Sequence, residues 1–128
     1  MTTKETLKKY FGYDSFREGQ EEVINKILKG RDVLAIMPTG AGKSLCYEIP
    51  ALMMDGITII ISPLISLMQD QVTALKDLGI TATYINSSLS DFEIGNVLND
   101  IKNDKYKIVY VAPERLESQS FIDFMANI

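Results

Sequence analysis

Histidine is absent from this chain, cysteine occurs once, and no aspartate is followed directly by a glutamate. Without histidine, metal sites and general bases that depend on an imidazole are excluded. The single cysteine, Cys46, excludes an internal disulfide, which is typical of a protein from a reducing cytoplasm, and its apolar neighbours predict core packing. A Mg²⁺-binding motif built on an Asp-Glu pair is also missing from these 128 residues.

Long apolar runs and a surplus of basic residues are missing as well. No run approaches the roughly 18 apolar residues that a membrane-spanning helix needs, and the opening residues MTTKE do not form an apolar signal segment. We therefore expect no membrane partner. The net charge is −4, so the overall balance does not indicate a dedicated nucleic-acid-binding protein, although an acidic protein can still carry a local basic groove.

The residues that are present alternate between helical and strand patterns. Apolar runs predict strands at residues 33–37, 57–62, 81–85 and 107–112. Helical spacing predicts helices at residues 2–10, 18–29, 63–78, 90–102 and 117–127, and a further helix from Lys43 that Pro50 should kink or end. This alternation predicts an α/β fold, a doubly wound and mainly parallel sheet in three layers. Because another strand should follow the last helix, we expect the chain to be part of a longer protein.

A glycine-containing loop, MPTGAGKS at residues 37–44, lies between a predicted strand and a predicted helix. Strand, loop, Lys-Ser and helix form the layout of a phosphate-binding loop. Gly40 and Gly42 would let backbone N–H groups point at an anion. The strict pattern has a glycine where Met37 stands. An ordinary turn with a surface lysine is the alternative, and the flanking elements favour the phosphate-binding loop.

This loop and three further segments resemble the RecQ-type DNA helicases of superfamily two. FGYDSFREGQ (11–20) resembles their motif 0, and MPTGAGKSLCYEIPAL (37–52) resembles motif I. SPLISLMQDQ (62–71) resembles motif Ia, and YVAPERL (110–116) resembles motif Ib. The segments occur in the family's order and span almost the whole chain. The resemblance implies that residues 1–128 are part of the first RecA-like, P-loop ATP-binding domain of such a helicase.

The resemblance also implies roles for single residues, with ATP and Mg²⁺ as cofactors. Tyr13 would stack on the adenine, Arg17 would support it, and Gln20 would hydrogen-bond its edge, as an aromatic face and an amide are suited to do. Lys43 would be the catalytic residue at the β- and γ-phosphates, and the Ser44 hydroxyl would bind Mg²⁺. The implied nucleotide contacts are Tyr13, Arg17, Gln20, Pro38, Thr39, Gly40, Ala41, Gly42, Lys43 and Ser44.

DNA contacts are implied at Ser62 and Arg115, which follow predicted strands. For Arg115 the alternative is a surface ion pair with Glu114 that fixes the turn. Residues 86–88, Asn-Ser-Ser, also follow a strand, and turn chemistry is the favoured interpretation there. Phe11 and Phe16 are interpreted as structural aromatic residues.

The whole-protein function that the resemblance implies is 3′ to 5′ unwinding of DNA, driven by ATP, in repair and recombination. Single-stranded DNA and duplex junctions would be the partners, and the bacterial cytoplasm, with the nucleoid, the location. The acidic box and the second RecA-like domain of such helicases are not in these 128 residues. We therefore expect the segment alone to be inactive as a motor. A free-standing ATP-binding module and an RNA-directed helicase of the same superfamily are the alternatives.

Overall fold

The chain forms two compact units, Met1–Asp55 and Gly56–Ile128. The computed structural model describes residues 1–37 and 42–128. Each unit has its own apolar core. In the first unit the buried centre is Leu7, Ile24 and Ile49. In the second unit it includes Ile85, Ile94, Ile101, Val109, Val111 and Phe121.

The described part of the first unit is built from three helices: α1 (Thr3–Phe11), α2 (Gln20–Leu28) and α3 (Leu45–Met53). Helix α1 begins where the Thr2 side chain accepts a hydrogen bond from the Glu5 N–H, and it ends at Gly12, whose φ of 78° is left-handed. Leu7, Ile24 and Ile49 come from α1, α2 and α3 respectively, so one buried residue from each helix meets in the core.

Residues 33–37 do not form the predicted strand. They carry no regular secondary structure, and the side chains of Leu34 and Ile36 are each 90% exposed. A strand gains its backbone hydrogen bonds only from a neighbouring strand. Because the described elements of this unit are helices, the segment has no strand beside it within the unit. The predicted strand at residues 33–37 is therefore wrong, because an apolar run can suit a strand but cannot supply the strand with which it must pair.

Helix α3 begins at Leu45 and runs through Pro50, where the sequence predicts a kink or an end. It continues to Met53, and the Met54 N–H closes its last turn on the Pro50 carbonyl at 2.9 Å. Proline removes one backbone donor from a helix but keeps its carbonyl. Ile49, Pro50 and Ala51 are buried, so tertiary packing holds the helix through this position.

The second unit contains a three-stranded parallel sheet in its described residues: β1 (Thr58–Ile61), β2 (Ala82–Ile85) and β3 (Ile108–Val111). The strand order is β1-β3-β2. Its helices are α4 (Ile65–Asp77), α5 (Asp91–Lys102) and α6 (Gln119–Ala126), with a 3₁₀ helix at Pro113–Glu117.

The order of the strands places helices on both faces of this sheet. The chain crosses from β1 to the far edge at β2 through α4 and returns to the centre at β3 through α5. Since such crossovers are right-handed, the two opposite crossings lie on opposite faces. All four residues of β3 are buried, as expected for a central strand that is covered on both sides.

The predicted fold class, an α/β fold with a parallel sheet, is confirmed, with three described strands instead of four. The predicted start of α5 is also confirmed. The Ser90 side chain accepts from the Glu93 N–H at 3.1 Å, and the Glu93 carboxylate accepts from the Ser90 N–H at 3.0 Å. In the described residues, no helix has both the length and the apolarity that a membrane crossing requires.

Candidate functional site

A cavity of about 370 Å³ lies in the first unit, where the loop before α2 meets the start of α3. Five residues that the sequence had singled out line it: Tyr13, Arg17, Gln20, Gly42 and Ser44. More than twenty positions separate Gln20 from Gly42 along the chain, so the fold brings the two predicted halves of a nucleotide site to one cavity.

Gln20 joins these two halves directly. Its side chain is 1% exposed. Its amide oxygen accepts the Arg17 N–H at 2.8 Å, and its amide nitrogen donates to the Gly42 carbonyl at 3.0 Å. A buried amide with both ends paired is well suited to fix two loops. Gln20 therefore braces the loop that carries Arg17 against the end of the glycine loop, and its predicted contact with the adenine stays a prediction.

Tyr13 and Arg17 stand at the open side of the cavity. The Tyr13 side chain is 57% exposed and lines the cavity, so an aromatic face is available to a flat ligand. Arg17 is exposed and also lines the cavity. Phe11 and Phe16 instead pack against the core of the first unit, which confirms their structural interpretation, although Phe11 also contributes to the cavity wall.

The start of α3 carries the described end of the glycine loop. Gly42 has a φ of 75°, in the region that favours glycine. Its carbonyl accepts the Leu45 N–H at 3.3 Å, and the Lys43 carbonyl accepts the Cys46 N–H at 3.0 Å. Lys43 and Ser44 are exposed at this helix start. The predicted contacts at Pro38, Thr39, Gly40 and Ala41 lie outside the described residues.

Glu48 lines the same cavity and was not singled out from the sequence. It lies one helical turn after Ser44, and its side chain is only 7% exposed. Burial raises the pKa of the Glu48 carboxyl, and a hydrogen bond from the Ser44 side chain partly offsets that effect. A buried carboxyl beside a hydroxyl at a helix start is a signal that only the folded structure reveals.

The oxygen atoms of this cavity suit a hard cation only in part. Mg²⁺ prefers six oxygen ligands and commonly keeps several waters while it bridges substrate phosphates. The Ser44 hydroxyl can supply one ligand. Among the described residues, no group of three or more acidic, cysteine or histidine side chains could hold a metal ion. The site therefore fits Mg²⁺ that arrives with a phosphate ligand, and it does not form a complete metal cage by itself.

A second cavity, of about 350 Å³, lies at the carboxyl ends of β2 and β3 in the second unit. Arg115 from the 3₁₀ helix lines it together with Asn86, Ser87, Glu114 and Ser118. The carboxyl edge of a parallel sheet is where α/β proteins bind ligands. The Asn86 side chain is buried and accepts the Ser88 N–H at 2.8 Å, which confirms the predicted turn at residues 86–88.

Among the described residues, Arg115 does not form the ion pair with Glu114 that was the alternative to a DNA contact. The ion pairs found in the described residues join Lys8 to Asp14, Lys26 to Glu22, and Lys105 to Asp100. Ser62 follows β1 at the same sheet edge, where its N–H donates to Val111 at 3.0 Å and its hydroxyl accepts the Leu64 N–H at 3.2 Å. Within the described part of this unit, Ser62 is not in the cavity lining.

Residues 17–126 match the model of a known protein family, the DEAD/DEAH box helicases. That match covers most of the chain. It includes all the residues that line the second cavity, and those that line the first cavity from Arg17 onward. The chain belongs to the DEAD/DEAH box helicase family. The family assignment agrees with the parallel α/β sheet and with the glycine loop that leads into α3.

Individual DEAD/DEAH box helicases are also similar to this chain. It is 55% identical over 95% of its length to the ATP-dependent DNA helicase RecQ of Bacillus subtilis. It is 50% identical over 98% of its length to the RecQ helicase of Haemophilus influenzae. A protein of Acanthamoeba polyphaga mimivirus that is named as an ATP-dependent RNA helicase is 51% identical over 87% of the chain. The resemblance to RecQ helicases predicted from the motifs is confirmed.

The chain spans only about a fifth of the length of these DEAD/DEAH box helicases: 21% of the Bacillus protein and 20% each of the Haemophilus and mimivirus proteins. The similarity therefore concerns one segment of a helicase, and the activity of a whole protein is a separate question.

Proposed function

We propose that this chain is the nucleotide-binding segment of a RecQ-type, ATP-dependent DNA helicase that unwinds duplexes in the 3′ to 5′ direction. Its work would lie in DNA repair and recombination, in the bacterial cytoplasm and at the nucleoid. The observation that carries the proposal is the cavity shared by Tyr13, Arg17, Gln20, Gly42 and Ser44. The similarity to proteins named RecQ helicases supports the choice within the DEAD/DEAH box family.

ATP is the ligand that this cavity fits best. An exposed aromatic face at Tyr13 suits the adenine ring, and the Arg17 guanidinium beside it can pack on the ring or meet a phosphate. At the other side, the start of α3 presents the partial positive charge of a helix N-terminus toward an anion. Lys43, exposed at that helix start, would neutralise the β- and γ-phosphates.

The protein's part in ATP hydrolysis would be positioning and charge stabilisation. When Mg²⁺ is bound with the nucleotide, it supplies charge neutralisation on the phosphate oxygens. Ser44 would hold that ion through its hydroxyl oxygen, and Lys43 would stabilise the charge that builds on the transferred phosphoryl group. The brace from Gln20 to Gly42 would keep the end of the loop in place.

DNA would bind at the carboxyl edge of the sheet in the second unit. Arg115 lines a polar cavity there with Asn86, Ser87 and Ser118. Phosphate contacts from arginine and hydroxyl side chains position nucleic acid without reading its sequence. Ser62, at the end of β1, remains a candidate for a neighbouring phosphate contact. Such contacts suit a motor that moves along DNA of any sequence.

We further propose that residues 1–128 are part of the first RecA-like domain and that this segment alone does not turn over ATP. The described residues offer no carboxylate cluster for a metal ion, and the chain has no Asp-Glu pair. A free-standing ATP-binding module is the competing account. ATP hydrolysis by the isolated segment, stimulated by DNA to the level of the full-length protein, would contradict the proposal.

An RNA-directed helicase is the second candidate function, and the similarity to the mimivirus protein favours it. The deciding experiment is an unwinding competition with the full-length protein. A labelled DNA duplex with a 3′ single-stranded tail is mixed with an unlabelled RNA duplex of the same sequence, and the labels are then exchanged. We expect DNA to be unwound and to be the better competitor. Preferential unwinding of RNA would overturn the assignment.

A further inference from the structure

Glu48 is a buried carboxyl that the proposed nucleotide chemistry does not yet use. It lies in the first turn of α3, and the next two residues along the chain, Ile49 and Pro50, are buried. Burying a carboxyl among apolar groups is unfavourable unless a partner satisfies it. An apolar side chain of similar size would pack there without that cost. Its presence in the cavity wall therefore calls for a polar role.

The partner of Glu48 is Ser44, the residue expected to bind Mg²⁺. The two lie four residues apart at the start of α3, and the backbone fixes them because the Glu48 N–H donates to the Ser44 carbonyl at 2.9 Å. Side chains four residues apart lie on the same face of a helix, and both of these line the same cavity. The Glu48 carboxyl is therefore within reach of the Ser44 hydroxyl, one helical turn further along α3.

A hydroxyl that binds a cation must place its hydrogen elsewhere. It has one hydrogen and two lone pairs, and a metal ion takes a lone pair. When an acceptor holds the hydrogen, the oxygen is already turned toward the ion and becomes a better ligand, as outer partners of metal ligands commonly arrange. The Glu48 carboxyl, one turn along the same helix face and in the same cavity wall, offers an acceptor for this hydrogen.

We propose that Glu48 is a positioning residue for the metal-bound nucleotide. Its carboxyl holds the Ser44 hydrogen and aims the hydroxyl oxygen at Mg²⁺. This inference rests on the proposed function, since it needs the cavity to bind a Mg²⁺-nucleotide. It adds an outer contact to the site, and Glu48 itself touches neither the nucleotide nor the ion.

The test uses the full-length protein with a fluorescent ATP analogue, titrated with and without Mg²⁺. Glu48→Leu removes the acceptor, and Glu48→Gln keeps an acceptor oxygen. We expect Glu48→Leu to lose roughly tenfold to a hundredfold of the affinity gained from Mg²⁺, the range typical of an outer partner of a metal ligand. Affinity without Mg²⁺ should stay close to that of the unaltered protein. Glu48→Gln should keep most of the Mg²⁺ effect.

The control is Glu22→Gln, which removes a carboxylate from the same unit at an exposed position on α2. Circular dichroism of each variant checks that the protein is folded. If Glu48→Leu binds the Mg²⁺-nucleotide as the unaltered protein does, or loses affinity equally with and without Mg²⁺, the inference is overturned. If the unaltered protein binds no ATP analogue, the proposed function itself fails, and the two failures are therefore distinct.

Discussion

The side-chain nitrogen of Gln20 donates a hydrogen bond to the carbonyl oxygen of Gly42 across 3.0 Å. The bond connects the first residue of α2 to the last part of the glycine loop. Because Gln20 also accepts the Arg17 N–H, one buried amide ties the loop that carries Arg17 to the residues that lead into α3. The geometry of the loop therefore depends on a residue that the loop sequence does not contain.

Replacing Gln20 should lower affinity for nucleotides in general. Gln20→Glu keeps an acceptor for Arg17 but points a carboxylate at the Gly42 carbonyl. Loss of a buried hydrogen bond costs roughly 1–3 kcal/mol, so we expect about a tenfold or greater loss in binding of a fluorescent ATP analogue. A GTP analogue should lose as much, because the brace acts on the loop and not on the base.

Asn25→Asp is the matched control for Gln20→Glu, since it makes the same change of amide to acid at an exposed position of α2. A loss confined to ATP would instead favour the direct adenine contact expected from the sequence. If Gln20→Glu binds both nucleotides as the unaltered protein does, neither the brace from Gln20 to Gly42 nor the contact of Gln20 with adenine matters for binding.

Substitution of Gly42 by alanine should be more damaging than the same change at Gly12. Both glycines have a left-handed φ, 75° and 78°, so both substitutions strain the backbone. At Gly12 a new Cβ meets nothing within 4 Å, whereas at Gly42 it collides with the Gln20 side-chain nitrogen. We expect Gly42→Ala to abolish nucleotide binding in a titration and Gly12→Ala to keep it.

The double variant Gln20→Ala with Gly42→Ala separates the two causes. Removing the Gln20 amide relieves the collision but not the backbone strain. Adding Gln20→Ala to Gly42→Ala should therefore restore thermal stability in part. If Gly12→Ala and Gly42→Ala impair binding equally, the collision plays no part.

Lys43→Ala in the full-length protein should abolish ATP turnover while the fold stays intact. Removing one group that stabilises transition-state charge lowers turnover by about a hundredfold to a thousandfold. Phosphate release in the presence of single-stranded DNA measures the effect, and circular dichroism monitors the fold. Lys26→Ala, which removes an exposed lysine paired with Glu22, is the control. Turnover that survives in Lys43→Ala would refute the catalytic role.

Arg115→Ala should weaken binding of single-stranded DNA whatever its sequence. If Arg115 contacts one phosphate, the slope of log affinity against log salt concentration should fall by roughly 1. Fluorescence anisotropy over a range of salt concentrations measures both quantities. Lys105→Ala is the control, since Lys105 precedes β3 at the opposite edge of the sheet and pairs with Asp100. An unchanged slope would rule out a phosphate contact at Arg115.

The start of α5 should loosen in acid. Hydrogen bonds from the backbone and side chain of Ser90 hold the pKa of Glu93 below its ordinary value of 4.5. A depressed carboxyl pKa stabilises the fold at higher pH, and that contribution is lost as the pH falls from about 4.5 through the lowered value. Hydrogen exchange of the first-turn amides, corrected for intrinsic rates, should show this loss.

Glu93→Gln should remove the pH dependence at the start of α5, and Asp91→Asn, in the same turn but outside the capping pair, should keep it. Equal pH dependence in Glu93→Gln and in the unaltered protein would assign the effect to another group.

Local patterns in the sequence predicted much of the fold. The helices predicted at residues 2–10 and 90–102 correspond to α1 and α5, and their ends are set by residues within a few positions: Gly12 ends α1, and the Ser90–Glu93 pair begins α5. The apolar runs at three strands predicted a buried parallel sheet. The same reasoning failed at residues 33–37, where the apolar run suits a strand but the described residues of the unit form helices and no strand that could pair with it.

The sequence by itself determined the motif at the site: glycine, lysine and serine before a helix form the pattern of a phosphate-binding loop, whose groups are adjacent in the chain. Tertiary structure alone decided that Gln20 braces Gly42 and that Glu48 is buried in the wall of the same cavity. A motif consists of residues that are neighbours along the chain. Burial, and the pairing of an amide with a distant carbonyl, arise only when separate helices pack together.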